Sequence, residues 1–176
     1  MVTLQIVTTS LTTELSVIRE EAITREEEND LFRIFLNEQD DLKLDVIVHR
    51  INSDVSAGID CTQCGNCCRS LIINIEPEET ERLSTQLNMS LQAFKAEFVE
   101  ESQQGQLVIN TVPCHFLADN KCSIYEHRFM QCRQFPHLHK NGFIKRLGGT
   151  LMHYGSCPII YNVIEALKAE LLFRPE

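Results

Sequence analysis

The sequence predicts an α+β fold: a small irregular domain built around a cysteine-ligated metal centre, with helices at its N-terminal and C-terminal ends. Three observations predict this class. Four cysteines fall within eight residues in the run CTQCGNCC, and four more follow. Apolar residues recur at helical spacing near both ends of the chain. The middle of the chain contains two short apolar runs that are typical of strands.

Length and composition indicate one domain with an extension. The chain has 176 residues and a formal charge of −9, and 43% of its residues are hydrophobic. A core can therefore form without disulfides, and the acidic surface disfavours nucleic acid as a partner. The sequence shows neither an apolar run of ~20 residues nor an export signal, so we expect no membrane association and a cytoplasmic location with reduced thiols. We divide the chain into an N-terminal helical extension over residues 1–55 and a cysteine-cluster metal-binding domain over residues 56–176.

The N-terminal region predicts one long helix or two shorter ones. Residues 11–52 lack Gly and Pro, and Leu31, Ile34 and Phe35 recur at helical spacing. We expect these helices to pack against the cysteine domain or against a second copy of the chain, which would make a homo-oligomer. Docking of an unidentified protein partner is the alternative. A polar turn over residues 52–60 then leads into the first cysteines.

The elements that follow are predicted from local signals. Residues 71–75 and 107–111 are apolar and short, as expected of buried strands. Pro77 begins a helix with acidic residues in its first turn, and Ser90 is a suitable N-cap for the next helix. Residues 114–136 predict an irregular, cysteine-bearing segment. Residues 142–147 predict a strand that ends at two glycines, and Pro158 opens a last helix.

The cysteine spacing predicts metal binding but leaves the arrangement open. The pattern C-x2-C-x2-C, with a distant Cys-Pro at Cys157–Pro158, is similar to the ligand pattern of a cubane iron–sulfur cluster. Cys61 and Cys64 also form a pair of the kind found in zinc ribbons. Adjacent side chains tend to diverge, so we expect Cys67 and Cys68 not to share one ion. Eight sulfurs suffice for two four-coordinate centres, or for one cluster with further thiols nearby. Four disulfides would also use eight cysteines, but they do not suit a reducing compartment.

Several residues near the cysteines are candidates for supporting roles. Arg69, Arg128 and Arg133 could offset the negative charge of metal-bound thiolates. His137 and His139 are the best candidates for replacing one sulfur as a ligand. The sequence contains no Ser–His–Asp order, P-loop or HExxH helix, so no catalytic residue is predicted.

The motifs CTQCGNCCR, PCHFLADNKCSIYEHR and CRQFP, with the late Cys-Pro, resemble those of the YkgJ-like cysteine-cluster proteins. That family is described as a zinc- or iron-chelating domain with a CxxCxxCC core. One departure is Phe129, where the family usually has proline, which places the conformation of this loop in question. The resemblance covers about residues 61–158 and implies that eight cysteines bind metal: Cys61, Cys64, Cys67, Cys68, Cys114, Cys122, Cys132 and Cys157.

Three functional interpretations remain. The first is an iron–sulfur protein, with a 4Fe-4S cluster, that acts in redox chemistry, sensing or as an accessory to an enzyme. The second is a zinc-binding structural or interaction module. The third is a protein-modifying enzyme similar to the flagellin lysine N-methylases, which carry a similar cysteine cluster. The chain lacks a glycine-rich loop for S-adenosylmethionine, so we do not assign methyl transfer to it.

Overall fold

The structure is a computed structural model that describes residues 10–175. It confirms the α+β class, with many helices and two small sheets. The helices are α1 (Leu15–Thr24), α2 (Glu26–Asn37), α3 (Asp41–Ala57), α4 (Cys61–Cys64), α5 (Asn66–Ser70), α6 (Pro77–Gln86), α7 (Leu91–Phe98), α8 (Met130–Gln134), α9 (Phe143–Leu151) and α10 (Pro158–Glu170). The strands are β1 (Asn74–Ile75), β2 (Val99–Glu101), β3 (Leu107–Ile109), β4 (Leu117–Ala118) and β5 (Lys121–Cys122), and a 3-10 helix covers Tyr125–His127.

Contacts divide the described chain into two compact units. The helical unit comprises residues 10–59 and 138–175, and the cysteine unit comprises residues 60–137. Helix α10 therefore lies in the same unit as the N-terminal helices. The division after residue 55 that we expect from sequence remains a prediction about domains. None of the helices within residues 10–175 is both long enough and apolar enough to cross a bilayer.

The helical unit is a bundle of α1, α2, α3, α9 and α10. Helix α10 packs on α3 and α1, while α9 packs on α2 and α3. The side chains of Phe32, Val48 and Ile164 are fully buried there. Burying one such side chain contributes about 1.5–3 kcal/mol, so these contacts stabilise the bundle.

Charged groups also link the helices of this unit. The Lys168 ammonium is 2.7 Å from a Glu28 carboxylate oxygen and 2.9 Å from one of Glu165. The Tyr154 hydroxyl donates to the same Glu165 oxygen at 2.7 Å. The pairing compensates the burial of Lys168, which is 5% exposed.

The N-terminal region forms three helices instead of the one or two expected. Helix α1 ends beside Arg25, and a second break separates α2 from α3. Asp40 causes the restart, because its side chain accepts a hydrogen bond from the Lys43 N–H at 2.9 Å as an N-cap. Helix α3 continues to Ala57, so the turn predicted to begin at residue 52 starts only at Gly58.

The predicted strand over residues 142–147 is wrong, because these residues enter α9. Gly142 has a left-handed backbone with φ of 75° and precedes the helix. The side chain of Asp45 caps it, accepting from the Gly142 N–H at 2.7 Å and the Phe143 N–H at 2.9 Å. Since this cap comes from another helix, it satisfies two N-terminal donors that the local sequence leaves without a partner.

The cysteine unit is built on a three-stranded antiparallel sheet in the order β1-β3-β2, with β4 and β5 as a separate hairpin. Its core includes Leu83, Phe94, Ile109, Phe116 and Phe129. The segment predicted to be irregular, residues 114–136, contains the hairpin, the 3-10 helix and α8. The strand expected over residues 71–75 is limited to its last two residues, whereas α6, α7, β3 and α10 lie where the sequence predicts them.

Candidate metal centre

The first cysteine segment is two helical turns joined by one glycine. Asp60 caps α4 by accepting from the Thr62 N–H at 2.9 Å. Gly65 then adopts a left-handed conformation with φ of 60°, and α5 follows. A Cβ atom at this position would lie 2.8 Å from the Asn120 carbonyl oxygen, so the close approach requires glycine. Helix α5, which carries Cys67 and Cys68, contacts the β4–β5 turn through Arg69, whose guanidinium donates to the Asn120 side chain.

Six cysteines line one cavity of about 70 Å³. A cavity of 10–15 Å³ by the same measure holds one water molecule, so this one has room for a larger group. The rest of its wall is mainly apolar, with Phe116, Phe129 and Phe135 among the residues that form it. The cysteines are Cys61, Cys67, Cys68, Cys114, Cys122 and Cys132.

Backbone hydrogen bonds bring the separate cysteine segments together. The Cys114 N–H donates to the Cys68 carbonyl at 2.8 Å, which fixes the second segment to α5. Cys122 pairs with Leu117 across the hairpin. Cys132 lies in α8, whose first N–H, from Met130, donates to a Glu79 carboxylate oxygen at 2.7 Å. Glu79 is one of the acidic residues in the first turn of α6, and its contact with α8 is a role that sequence spacing does not reveal.

The sulfur atoms of Cys67 and Cys68 lie 4.0 Å apart. The expectation that these adjacent side chains diverge is therefore wrong. Ligands about 2.3 Å from one tetrahedral zinc ion lie ~3.8 Å from each other, so this pair has nearly the separation of two ligands of one ion. Within residues 10–175, however, no three Cys, His, Asp or Glu side chains form a group arranged to hold a single ion. The six thiols therefore surround a common cavity, but no three of them converge on the position of a single ion.

The donor set fits a soft metal or an iron–sulfur group, since thiolates select zinc and iron–sulfur clusters. Two of the eight predicted ligands do not line the cavity. Cys64 lies in α4, and Cys157 is the buried N-cap residue of α10 in the helical unit. Their role as ligands remains a prediction. No disulfide joins any of the eight cysteines.

Five of the six cavity thiols resist ionisation when no cation is bound. Burial raises the pKa of Cys132 to about 12, and it also raises the pKa of Cys61, Cys114 and Cys122. The hydrogen bond with Cys67, followed by burial, raises the pKa of Cys68. Because the thiolate is the metal ligand, binding must replace these protons with positive charge.

The three arginines next to the cysteines have different environments. Arg69 donates to the Cys64 carbonyl at 3.1 Å and to the Asn120 side chain. Arg133 donates to the carbonyl oxygens of Arg128 and Glu126, at 2.8 and 2.7 Å. Arg128 alone of the three lines the cavity, with its guanidinium carbon 3.8 Å from the centre of the Tyr125 ring.

No histidine is among the cavity-lining residues of the described chain. His137 has a left-handed backbone with φ of 63° and follows the cysteine segments, and His139 is exposed in the helical unit. Neither of these best candidates for a nitrogen ligand lines the cavity. The aromatic and aliphatic wall was missed at the sequence level, because no spacing rule separates cavity walls from an ordinary core.

Phe129 retains a backbone that proline could adopt. Its φ of −59° lies in the range that a proline ring imposes, and its side chain is 2% exposed. The loop before Cys132 therefore keeps a proline-compatible turn, while the aromatic ring adds core contacts that proline cannot make. The departure from the family pattern does not disturb the position of Cys132 at the cavity.

Comparisons with known proteins agree with this geometry. A family model, CxxCxxCC, described as "Putative zinc- or iron-chelating domain", matches residues 60–148. No curated protein and no solved structure matches the chain. The matched residues make up half of the chain and contain the six cysteines of the cavity. The chain therefore belongs to the CxxCxxCC family of zinc- or iron-chelating, metal-binding domains.

Proposed function

We propose that the protein holds an iron–sulfur cluster of the 4Fe-4S type in the cysteine cavity and serves in redox chemistry, in sensing or as an accessory to another enzyme. One observation carries this proposal: six thiols surround a single, mainly apolar cavity that is larger than one water molecule. Cysteine thiolates are the usual ligands of such clusters, and an apolar wall limits their contact with solvent. When bound, the cluster would supply one-electron transfer.

The six cavity cysteines are the proposed pool from which the ligands come. The larger set of eight ligands adds Cys64 and Cys157. Cys64→Ser and Cys157→Ser test it, because loss of iron and sulfide in either variant would add that cysteine to the pool. The protein's own contribution is to bring thiols from three segments to one space and to surround them with apolar side chains such as Phe116 and Phe129. Cysteines without disulfides suit a reducing compartment, and we propose the cytoplasm.

A zinc-binding structural module is the second candidate. It is favoured by the 4.0 Å separation of the Cys67 and Cys68 sulfurs, which is close to the spacing of two ligands on one zinc ion. Closed thiolate sites of this kind contribute folding energy and leave no position for a substrate. In that case the cavity would stabilise the cysteine unit and have no redox role.

Anaerobic purification followed by quantification of iron, acid-labile sulfide and zinc separates the two candidates. We expect iron and sulfide in equal amounts, visible absorption, and loss of both in Cys68→Ser and Cys132→Ser. Ser123→Ala, which changes an exposed residue beside Cys122, should retain them. Stoichiometric zinc without iron or sulfide in anaerobic protein would refute the cluster and establish the zinc module. Zinc in protein exposed to air would decide nothing, because zinc also binds vacated thiolate sites.

A further inference from the structure

We propose that Arg128 is the charge-compensating residue of this centre and that its guanidinium stabilises the metal-bound form over the metal-free form. The inference rests on the proposed function, since it concerns the same cavity. Among residues 10–175 that line the cavity, Arg128 is the one side chain with a positive charge. Arg69 and Arg133 flank cysteines in the sequence, but their guanidinium groups donate to backbone carbonyls.

Contacts fix both the guanidinium and the backbone carbonyl of Arg128. Its guanidinium stacks on the Tyr125 ring at 3.8 Å, a cation–π arrangement. Its carbonyl oxygen accepts a hydrogen bond from Arg133 at 2.8 Å. Tyr125 lies between Cys122 and Cys132 and Arg133 directly follows Cys132, so both contacts come from the stretch of chain that carries these two thiols. A long side chain held in this way loses little further freedom when a ligand binds.

The electrostatic balance explains why a cation is needed. Four thiolates and one divalent ion carry a net charge of −2. A free thiol is neutral, whereas the thiolate that binds a metal is an anion. Binding therefore makes the cavity more negative, and a neighbouring positive charge stabilises the product more than the starting state.

A purely structural role for Arg128 makes a different prediction. If stacking on Tyr125 matters only for folding, then any loss of metal affinity should accompany a loss of apoprotein stability, and lysine should not restore binding. If charge matters, Arg128→Lys should keep most of the affinity, although lysine stacks less well on an aromatic ring. Tyr125→Leu, which removes the ring and leaves the charge, should have an intermediate effect.

The test measures the affinity of the full chain for Zn²⁺ alone by competition with a coloured chelator, in parallel with urea unfolding of each apoprotein. We expect Arg128→Gln to bind Zn²⁺ about ten- to a hundredfold more weakly, the range found when a group supporting metal ligands is lost. Arg128→Lys should remain within about tenfold of the wild type. Lys95→Gln removes an exposed positive charge of the same unit that does not line the cavity, and should bind like the wild type.

Equal affinity of Arg128→Gln and the wild type would overturn the inference while leaving the proposed function in place. Equal losses in folded Arg128→Gln and Arg128→Lys would also overturn it, because shape and not charge would then be responsible. Failure of the wild type to bind Zn²⁺ through its cavity cysteines would overturn the inference, whereas the iron and sulfide content of anaerobic protein decides the proposed function separately. If Arg128→Gln does not fold, Arg128→Lys decides alone: a folded Lys variant weakened more than tenfold contradicts the role of charge.

Discussion

The backbone N–H of Cys114 donates to the carbonyl oxygen of Cys68 at 2.8 Å, so two cysteine segments that are distant in the chain are joined by their main chains. The side chains of both residues line the same cavity. Thiol positions in the cysteine unit are therefore set by backbone contacts before any metal is considered. Variants that disturb those contacts should impair the centre without removing a ligand.

Gly65→Ala should both destabilise the cysteine unit and weaken metal binding. The added Cβ would lie 2.8 Å from the Asn120 carbonyl oxygen and would force a left-handed φ on alanine. We expect a loss of about 1–3 kcal/mol in the free energy of unfolding, measured with urea. Gly148→Ala is the control, because its Cβ meets nothing within 4 Å in the middle of α9. That variant should gain about 0.5–1 kcal/mol, and a neutral Gly65→Ala would contradict the requirement for glycine.

Glu79→Ala should lower metal affinity although its side chain does not line the cavity. Its carboxylate accepts from the Met130 N–H at 2.7 Å and from the Glu76 N–H at 3.1 Å, and so it holds the start of the helix that carries Cys132. We expect a stability loss of about 1–2 kcal/mol and a clear decrease in Zn²⁺ affinity by chelator competition. Glu78→Ala, at an exposed neighbouring position, should change neither quantity. Unchanged affinity in Glu79→Ala would show that Cys132 is positioned by other contacts.

Asp45 should make the stability of the helical unit depend on acid pH. Burial acts to raise the pKa of Asp45, but the hydrogen bonds from Phe143 and Gly142 outweigh it and leave the pKa below its usual value. A lowered folded-state pKa means that the carboxylate's stabilisation is complete above the unfolded value of about 3.9. It is lost as pH falls through the folded-state pKa.

Asp45→Asn tests this relationship by urea unfolding across a pH series. One amide oxygen cannot replace two carboxylate oxygens, so we expect a loss of about 1–3 kcal/mol near neutral pH and a flatter acid limb. Asp54→Asn alters an exposed carboxylate of the same helix and should keep the wild-type acid limb. If the unfolding free energy of Asp45→Asn still falls with acid as in the wild type, groups other than Asp45 cause that dependence.

Removal of the metal should loosen one unit selectively. The segments around Cys114, Cys122 and Cys132 have little regular structure, so metal bonds should supply much of their stability. Hydrogen exchange after chelation should accelerate in residues 114–136. Helix α10, which has a fully buried apolar face, should keep its protection. Uniform acceleration through both regions would indicate a single cooperative structure, and no acceleration would indicate that the cysteine unit is stable without metal.

Sequence reasoning succeeded where the deciding interactions are local. Pro77 and Ser90 mark helix starts within a few residues of their effect, and α6 and α7 begin as predicted. It failed at α9, where the cap is Asp45 from a distant helix. It also missed the β4–β5 hairpin, although Asp119 and Asn120 at its turn both have positive φ, which is typical of a two-residue hairpin loop.

The candidate site was foreseen in its chemistry and less completely in its geometry. The spacing and the resemblance identified the cysteines, because thiol ligands leave a clear mark in a sequence. Which thiols line one cavity depends on the tertiary structure. The same holds for the arginines, because Arg128 lines the cavity whereas Arg133 donates to backbone carbonyls. Adjacent cysteines were expected to diverge, but the helical turn of α5 places the two sulfurs 4.0 Å apart.

The six cavity thiols differ in their exposure to solvent. Cys61 is the most exposed of them, although its thiol is still desolvated enough that burial raises its pKa, and the other five are partly shielded. A thiol-alkylating reagent should therefore modify Cys61 first, and incoming metal would meet that side chain before the deeper ones. Among the six cavity thiols, we therefore expect Cys61 to be the first that dissolved oxidants reach.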